Sequence, residues 1–191
     1  MQARLGPVGV RARELGLPLE MPVRSKDPAV VQRVAAERAD ALLVAAYGQI
    51  LSEAMLASAI NGGINIHGSI LPAYRGAAPI QRAILAGETS TGVTLMQMDR
   101  GMDTGGIFAL ATTPIGEHET SGELESRLGV MGADLAGEWL PRIVAGRCRA
   151  QPQDDREASY APKIARAEAE LNPNDDVRAA YNRFRAFTPL P

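Results

Sequence analysis

Two polar residues stand two apart in an otherwise apolar run, Asn65 and His67 in "GGINIHG". Side chains of a strand alternate faces with period two, so Ile64 and Ile66 share one face while Asn65 and His67 share the other. An amide and an imidazole pointing the same way suit chemistry at a carbonyl. Asn offers a neutral hydrogen-bond donor to an oxygen on which charge develops, and His holds or moves a proton near neutral pH. A third group, Asp103, lies between Gly101 and Gly105 in "MDRGMDTGGI", a loop that must turn sharply. A carboxylate beside a histidine orients the ring, fixes its tautomer and raises its pKa. The three together suit acyl transfer in which the substrate brings the nucleophile, with no serine or cysteine of the protein required. The plainer alternatives are a satisfied polar pair at a strand end and, for Asp103, a turn residue capping its own backbone.

The elements that must position these groups follow from periodicity and punctuation. "DALLVAAYGQIL" is a short apolar run that reads as a strand buried on both faces, as in a parallel sheet. Ahead of it, Asp27 and Pro28 form an N-cap and a first-turn proline, with Val30, Val31, Val34 and Ala35 on one helical face. "GGINIHG" is the next strand, "APIQRAILAG" a short helix closed by Gly87, and "TGVTLMQMD" and "GGIFALATTPI" two further strands joined as antiparallel neighbours. A long helix follows, capped by Thr120 or Ser121 and stopped at Gly146, with Pro141 placed to kink or end it early. This order predicts an α/β fold, a mostly parallel sheet flanked by helices. Sites in open α/β sheets lie at the carboxyl ends of strands, where Asn65 and His67 fall. Residues 1–150 are expected to form the catalytic domain. Residues 151–191 are expected to be a polar surface linker and the start of a further region, with an amphipathic helix in "DDVRAAYNRFRAFTPLP" stopped by Pro189 and Pro191.

Composition narrows the function classes. Hydrophobic residues make up 46% of the 191 and aromatics only 4%, so the core is built from aliphatic side chains. The formal net charge of -2 gives no overall basic field for nucleic acid. The one cysteine, Cys148, makes no internal disulfide and reads as a bystander thiol in a reducing compartment. No run approaches the roughly 18 apolar residues of a membrane span, and "MQARLGPVGVRARELG" lacks the apolar stretch of a signal peptide. A cytoplasmic protein with no membrane partner is expected. Two histidines and one cysteine make a dedicated zinc site improbable, and no dinucleotide or P-loop fingerprint is present. His118 reads as solvated, and Asp99 and Arg100 as turn residues. Tyr47, Gly48 and Gln49 line the crevice or close a turn, and Arg75 meets an anion or is exposed.

The stretch "GGINIHGSILPAYRGAAPIQRAILAGETSTGVTLMQMDRGMDTGGI" resembles the core of the folate-dependent formyltransferases. Its "GAAPIQRAILAG" and "TGVTLMQMDRGMDTG" runs are most similar to the members that formylate methionyl-tRNA, as are "SYAPKI" and "RAFTPLP" to those members' interdomain linker and, loosely, "LGPVGVRARELGLPLEMP" near the start. The resemblance implies an incomplete Rossmann-like formyltransferase fold, with Asn65, His67 and Asp103 in the catalytic positions. It implies folate contacts from Ser69, Ile70, Leu71 and Pro72, Ile70 standing where the family has Leu, and a pterin site near Gln49 and Leu51. The implied reaction moves the formyl group of 10-formyltetrahydrofolate to the α-amine of initiator methionyl-tRNA, with no metal, in a monomer. Asp103 should then reach His67 directly or through one water. The chain also departs from the family. The opening strand–turn–helix–strand unit, roughly 30 residues or more, and the C-terminal barrel domain are expected to be missing. Without that first strand an edge is exposed. Of the basic loop that holds the acceptor stem, only Arg4 and its neighbours would remain. Two alternatives therefore stand beside the main reading: a non-catalytic remnant that retains folate binding, and a formyltransferase for a small amine such as an amino sugar.

Overall fold

The structure is a computed structural model that describes residues 5–171 and 174–189. Arg4 and Pro191, both named above, lie outside the described residues. The chain opens with helix α1 (Pro7–Glu14) and helix α2 (Pro28–Ala36), each with proline in its first turn. Asp27 caps α2 by accepting from the Ala29 amide at 3.0 Å. Of the apolar face expected on α2, Val30 is buried, Val31 and Val34 are half-buried and Ala35 is exposed.

Four strands form the main sheet: β1 (Leu42–Ala45), β2 (Gly63–His67), β4 (Ser90–Gln97) and β5 (Ile107–Pro114), in the order β1-β2-β4-β5. The short helix α3 (Glu53–Leu56) joins β1 to β2, which pair in parallel as expected of the early strands. The two later pairings, β2 with β4 and β4 with β5, are antiparallel, so the parallel share of the sheet is smaller than the sequence led one to expect. The reason lies in the connection. After β2 the chain forms strand β3 (Arg75–Gly76) and helix α4 (Pro79–Ala86). Helix α4 packs on other helices and does not lie back along β2. Strand β4 consequently enters from the carboxyl end of β2, with Thr94 opposite His67 and Ser90–Val93 extending beyond it.

Strand β1 is not buried on both faces. Leu42 and Val44 are half-buried, while Leu43 is 48% exposed. No strand pairs with the outer side of β1 among the described residues, and an edge strand has one flank that no neighbour covers.

Helix α5 (Ser121–Val144) covers the Ile64 and Ile66 face of the sheet. It begins with a capping box: Thr120 Oγ1 accepts from the Glu123 amide, and the Glu123 carboxylate accepts from the Thr120 amide. It runs through Pro141 to Val144 and is followed by Gly146 at φ 67°. Leu124, Leu128, Gly132, Ala136 and Ile143 are its buried apolar stripe. A Cβ on Gly132 would sit 2.7 Å from Ile66 Cγ2, so glycine is what lets the helix close onto β2. Ile64, Leu95, Ala136 and Ile143 form one core cluster; Ala83, Ile84, Val93, Leu124, Leu128 and Ala186 belong to a second. A fully buried side chain such as Ile64 or Leu95 contributes about 1.5–3 kcal/mol.

Beyond α5 the chain stays bonded to this body. Gln151 and Ile107 exchange two 2.8 Å backbone bonds. Strand β6 (Tyr160–Ala161) pairs in parallel with β3. Helix α6 (Val177–Ala186), capped by Asp176, packs on α4 and buries Ala186 in the second cluster. It ends ahead of Pro189, as its sequence predicts.

Candidate active site

Strand β2 does what its period requires. Ile64 and Ile66 face α5, and Asn65 and His67 face the other way, toward the loop that follows the strand. Met96 of β4 pairs with Asn65, and Thr94 with His67. The Asn65 amide makes no hydrogen bond among the described residues, so its donors are free for a ligand. His67 is buried. Its Nε2 lies 2.9 Å from the Tyr74 carbonyl. A carbonyl only accepts, so Nε2 carries a proton and donates it there. Nδ1 then faces Asp103, with Oδ2 at 3.6 Å. That is ion-pair range, slightly longer than a direct hydrogen bond, and it meets the expected reach.

Asp103 does not cap its own turn. Asp99 does that work, accepting from Gly101 N–H and from Thr104 Oγ1. Asp103 has a left-handed backbone (φ 55°). Its Oδ2 accepts from the Gly76 amide at 2.8 Å, across the site. Strand β4 ends level with the start of β2, so the loop from Met98 to Gly106 folds back to bring this carboxylate to His67.

The loop after β2 supplies the rest of the geometry. Thr94 Oγ1 donates to the Ser69 carbonyl at 2.7 Å and accepts from the Leu71 amide at 3.1 Å. Ser69 Oγ donates to the Ala73 carbonyl at 2.6 Å, and the Leu71–Pro72 peptide is cis. Tyr74 takes φ 60°, which aims its carbonyl at His67. Its phenol donates to Glu88 at 2.6 Å. Burial first, and then the Glu88 carboxylate, push that phenol well above the usual tyrosine range. Gly76 sits at φ 120°, and a Cβ there would lie 2.7 Å from the Ala161 carbonyl oxygen. Only glycine fits that crossing without strain.

Arg75 is not exposed, and the anion it meets is a carboxylate of the chain itself. It is buried, bonded to Gln153 Oε1 and, at 2.8 Å, to Asp155. Gln153 Nε2 donates in turn to the carbonyls of Asp103 (2.8 Å) and Gly105 (2.7 Å). Ser159 receives the Arg75 amide on its carbonyl and the Tyr74 amide on its hydroxyl.

The structure brings His67 and Asp103 together, and Asn65 stands two residues before His67 in β2, on the same face. In the Ser69–Pro72 segment, Ser69 and Leu71 are buried and bonded within the chain, while Ile70 and Pro72 keep part of their surface open. Gln49 and Leu51 follow β1, whose end is level with that of β2. The Gln49 side chain is tied to the Ser25 amide at 2.9 Å and makes no bond to the central three. His118 is bonded to the Tyr181 hydroxyl, and Arg100 pairs with Glu53. Sequence reasoning missed the Tyr74 carbonyl, the Gly76 amide, Ser159 and Gln153. The glycine in "AYRGAAP" was a usable signal of a special backbone position. Gln153, a lone amide in a polar stretch, gave none.

Comparison with known proteins places this geometry in context. The profile of the formyl transferase family matches residues 12–144. A methionyl-tRNA formyltransferase of Synechococcus sp. (strain JA-2-3B'a(2-13)) is 46% identical over 184 residues, covering 96% of this chain and 57% of that protein. Among solved structures, an N-formyltransferase from Helicobacter canadensis, in complex with folinic acid and dTDP-3-aminofucose, superposes with TM-score 0.63 at 27% identity, over 69% of this chain and 49% of that one. A methionyl-tRNA formyltransferase from Clostridium thermocellum gives TM-score 0.66 at 22% identity, over 84% of this chain and 67% of that one, a likeness of fold. The chain spans about 56–61% of the length of the curated relatives it matches.

Proposed function

The chain belongs to the formyl transferase family, and on that premise we propose that it transfers the formyl group of 10-formyltetrahydrofolate to the α-amine of initiator methionyl-tRNA, in the cytoplasm and at translation initiation. The observation that carries the reading is a buried His67 with the Asp103 carboxylate at 3.6 Å, on the strand face that also carries Asn65, whose side chain bonds to no described residue. The amine attacks the formyl carbon, a C–N bond forms, and the carbonyl oxygen becomes an oxyanion. Asn65 donates to that oxygen. His67 Nε2 is committed to the Tyr74 carbonyl, so Nδ1, beside Asp103, is the nitrogen left to take the amine's proton and return it to the departing folate nitrogen. Tetrahydrofolate and the formamide are the products. Ile70 and Pro72 offer the open side chains of the Ser69–Pro72 segment to the folate, and Gln49 and Leu51 flank it from the end of β1. Residues 1–150 carry the chemistry, and residues 151–191 lead toward the region that holds the tRNA.

A second acceptor is supported by the Helicobacter canadensis relative, which is described with an amino sugar nucleotide. One assay separates the readings. The purified chain receives 10-formyltetrahydrofolate with charged initiator methionyl-tRNA or with an amino sugar nucleotide, and His67→Ala is the control. Formylation of the tRNA, lost in the variant, is the expected result. Formylation of the sugar alone would move the assignment to the second acceptor. A folded chain that binds folate and formylates neither would reduce the reading to a binding remnant.

A further inference from the structure

We propose that Gln153 is a positioning residue of this site: its side-chain amide locks the loop that carries Asp103 to the loop that carries Tyr74 and Gly76, and so sets the Asp103–His67 pair. This rests on the formyl-transfer reading for its effect on rate, but not for its effect on His67 itself.

The amide is used to capacity. Its Oε1 accepts from Arg75 Nε at 3.0 Å and from Arg75 Nη2 at 2.8 Å. Its Nε2 donates to the Asp103 carbonyl at 2.8 Å and to the Gly105 carbonyl at 2.7 Å. Two donors and two acceptor sites are all that a carboxamide has. The orientation is unambiguous, because a flipped amide would set NH₂ against the guanidinium and oxygen against two carbonyls. On one side of the amide, Arg75 lies between Tyr74, whose carbonyl holds His67, and Gly76, whose amide holds Asp103 Oδ2. On the other side, Asp103 is held by its own carbonyl. Gln153 thus holds Asp103 by its backbone carbonyl and, through the Arg75 side chain, the residue that separates Tyr74 from Gly76.

Its own backbone is fixed on both flanks. Gln151 is bonded to Ile107 two residues earlier, and Asp155 is bonded to Arg75 two residues later. Gly106 permits the approach, since a Cβ there would lie 2.8 Å from the Ala150 Cβ. Asp103 occupies a left-handed backbone conformation, φ 55°, which an unsupported aspartate leaves readily for commoner regions. The bond to its carbonyl opposes that escape.

The discriminating variant is Gln153→Glu. It keeps both acceptors for Arg75 and replaces the two donors with oxygen facing carbonyls. Gln153→Met, close in shape and uncharged, carries the test should Gln153→Glu fail to fold. Two readouts are taken on the full chain. The first is the imidazole ¹⁵N pattern of His67, which reports which ring nitrogen holds the proton. The chain has two histidines, so His118→Gln assigns it. The pattern should move in Gln153→Glu in the same sense as in Asp103→Asn, and stay put in Arg127→Ala, a destabilising change remote from the site. The second is formyl transfer, where kcat should fall about 10–100-fold with KM for the donor changed less than about threefold, the size expected when a catalytic group is misplaced by an ångström or less. A His67 pattern that moves supports positioning even if the wild-type chain turns over no substrate, which would count against the formyl-transfer reading alone. A folded Gln153 variant with the wild-type His67 pattern would overturn the proposal.

Discussion

Asn65 is the residue whose removal separates chemistry from stability most cleanly. Its amide makes no bond to the chain among the described residues, so Asn65→Ala should leave the thermal midpoint nearly unchanged. If the amide donates to the oxyanion, the same change should lower kcat by about 10²–10³, the cost of losing one such donor. Circular dichroism melting and single-turnover formyl transfer check the two halves, and a retained rate would remove Asn65 from the mechanism. Gly76 is the opposite case. Its φ of 120° and the 2.7 Å approach to the Ala161 oxygen leave no room for a methyl group. Gly76→Ala should cost about 1–3 kcal/mol in denaturant unfolding and move the amide that Asp103 accepts from. The contrast shows what a sequence reveals at this scale. The alternation Ile64-Asn65-Ile66-His67 announces a polar pair on one face, because side-chain types carry the signal. The Tyr74 carbonyl and Gly76 amide are backbone groups, which every residue possesses, so their roles leave almost no mark in composition.

Helix α5 and the end of β5 show how elements hold the sheet that carries the site. Arg127 reaches from the helix to Thr113 and to the Pro114 carbonyl, and pairs with Glu119 at 2.9 Å. The Arg127 guanidinium, with help from the Gly116 amide, outweighs partial burial and holds the Glu119 carboxyl below its ordinary value near 4.5. A carboxyl depressed in the folded state stabilises it above the unfolded pKa, and that contribution is lost as pH falls through the folded value. Glu119→Gln should therefore lower stability by about 1 kcal/mol at neutral pH, as for a partly screened ion pair. The gap between the two proteins should close below about pH 4.5. Urea unfolding from pH 7 to pH 3 measures this, and a gap independent of pH would show that the ion pair contributes nothing. The elements themselves were largely readable: Asp27-Pro28, Gly87 and the Thr120–Glu123 box are local signals, and local signals survive folding. Strand direction was less so. Whether β4 runs with or against β2 depends on where α4 docks, and α4 packs on α5 and α6, both farther along the chain.

At the scale of the whole molecule, the polar stretch after Ala150 binds the site together despite its lack of periodicity. Ser159 and Ala161 hold the backbone from Arg75 to Ala78, Gln153 holds Arg75 and Asp103, and Ala186 completes the core around Ile84 and Leu124. Hydrophobic pattern could not announce this, because most of the attachment is by hydrogen bonds from an irregular segment. A chain ending at Ala150 should therefore lose more than a tail. Strand β3 would have no partner, and the buried Arg75 would lose both Gln153 and Asp155. The same segment covers Arg75, so its loss would turn the guanidinium out to water and leave the Tyr74 and Arg75 amides without their acceptors on Ser159. Amide hydrogen exchange gives the local answer. In the full chain the Arg75 and Ala77 amides, donated to Ser159 and Ala161, should be protected. In the shortened chain they should exchange at rates near those of an open loop, and formyl transfer should vanish with them. Protection and activity that both survive at Ala150 would show that the β2 loop and Asp103 hold their geometry unaided, with the remaining segment only resting on the surface.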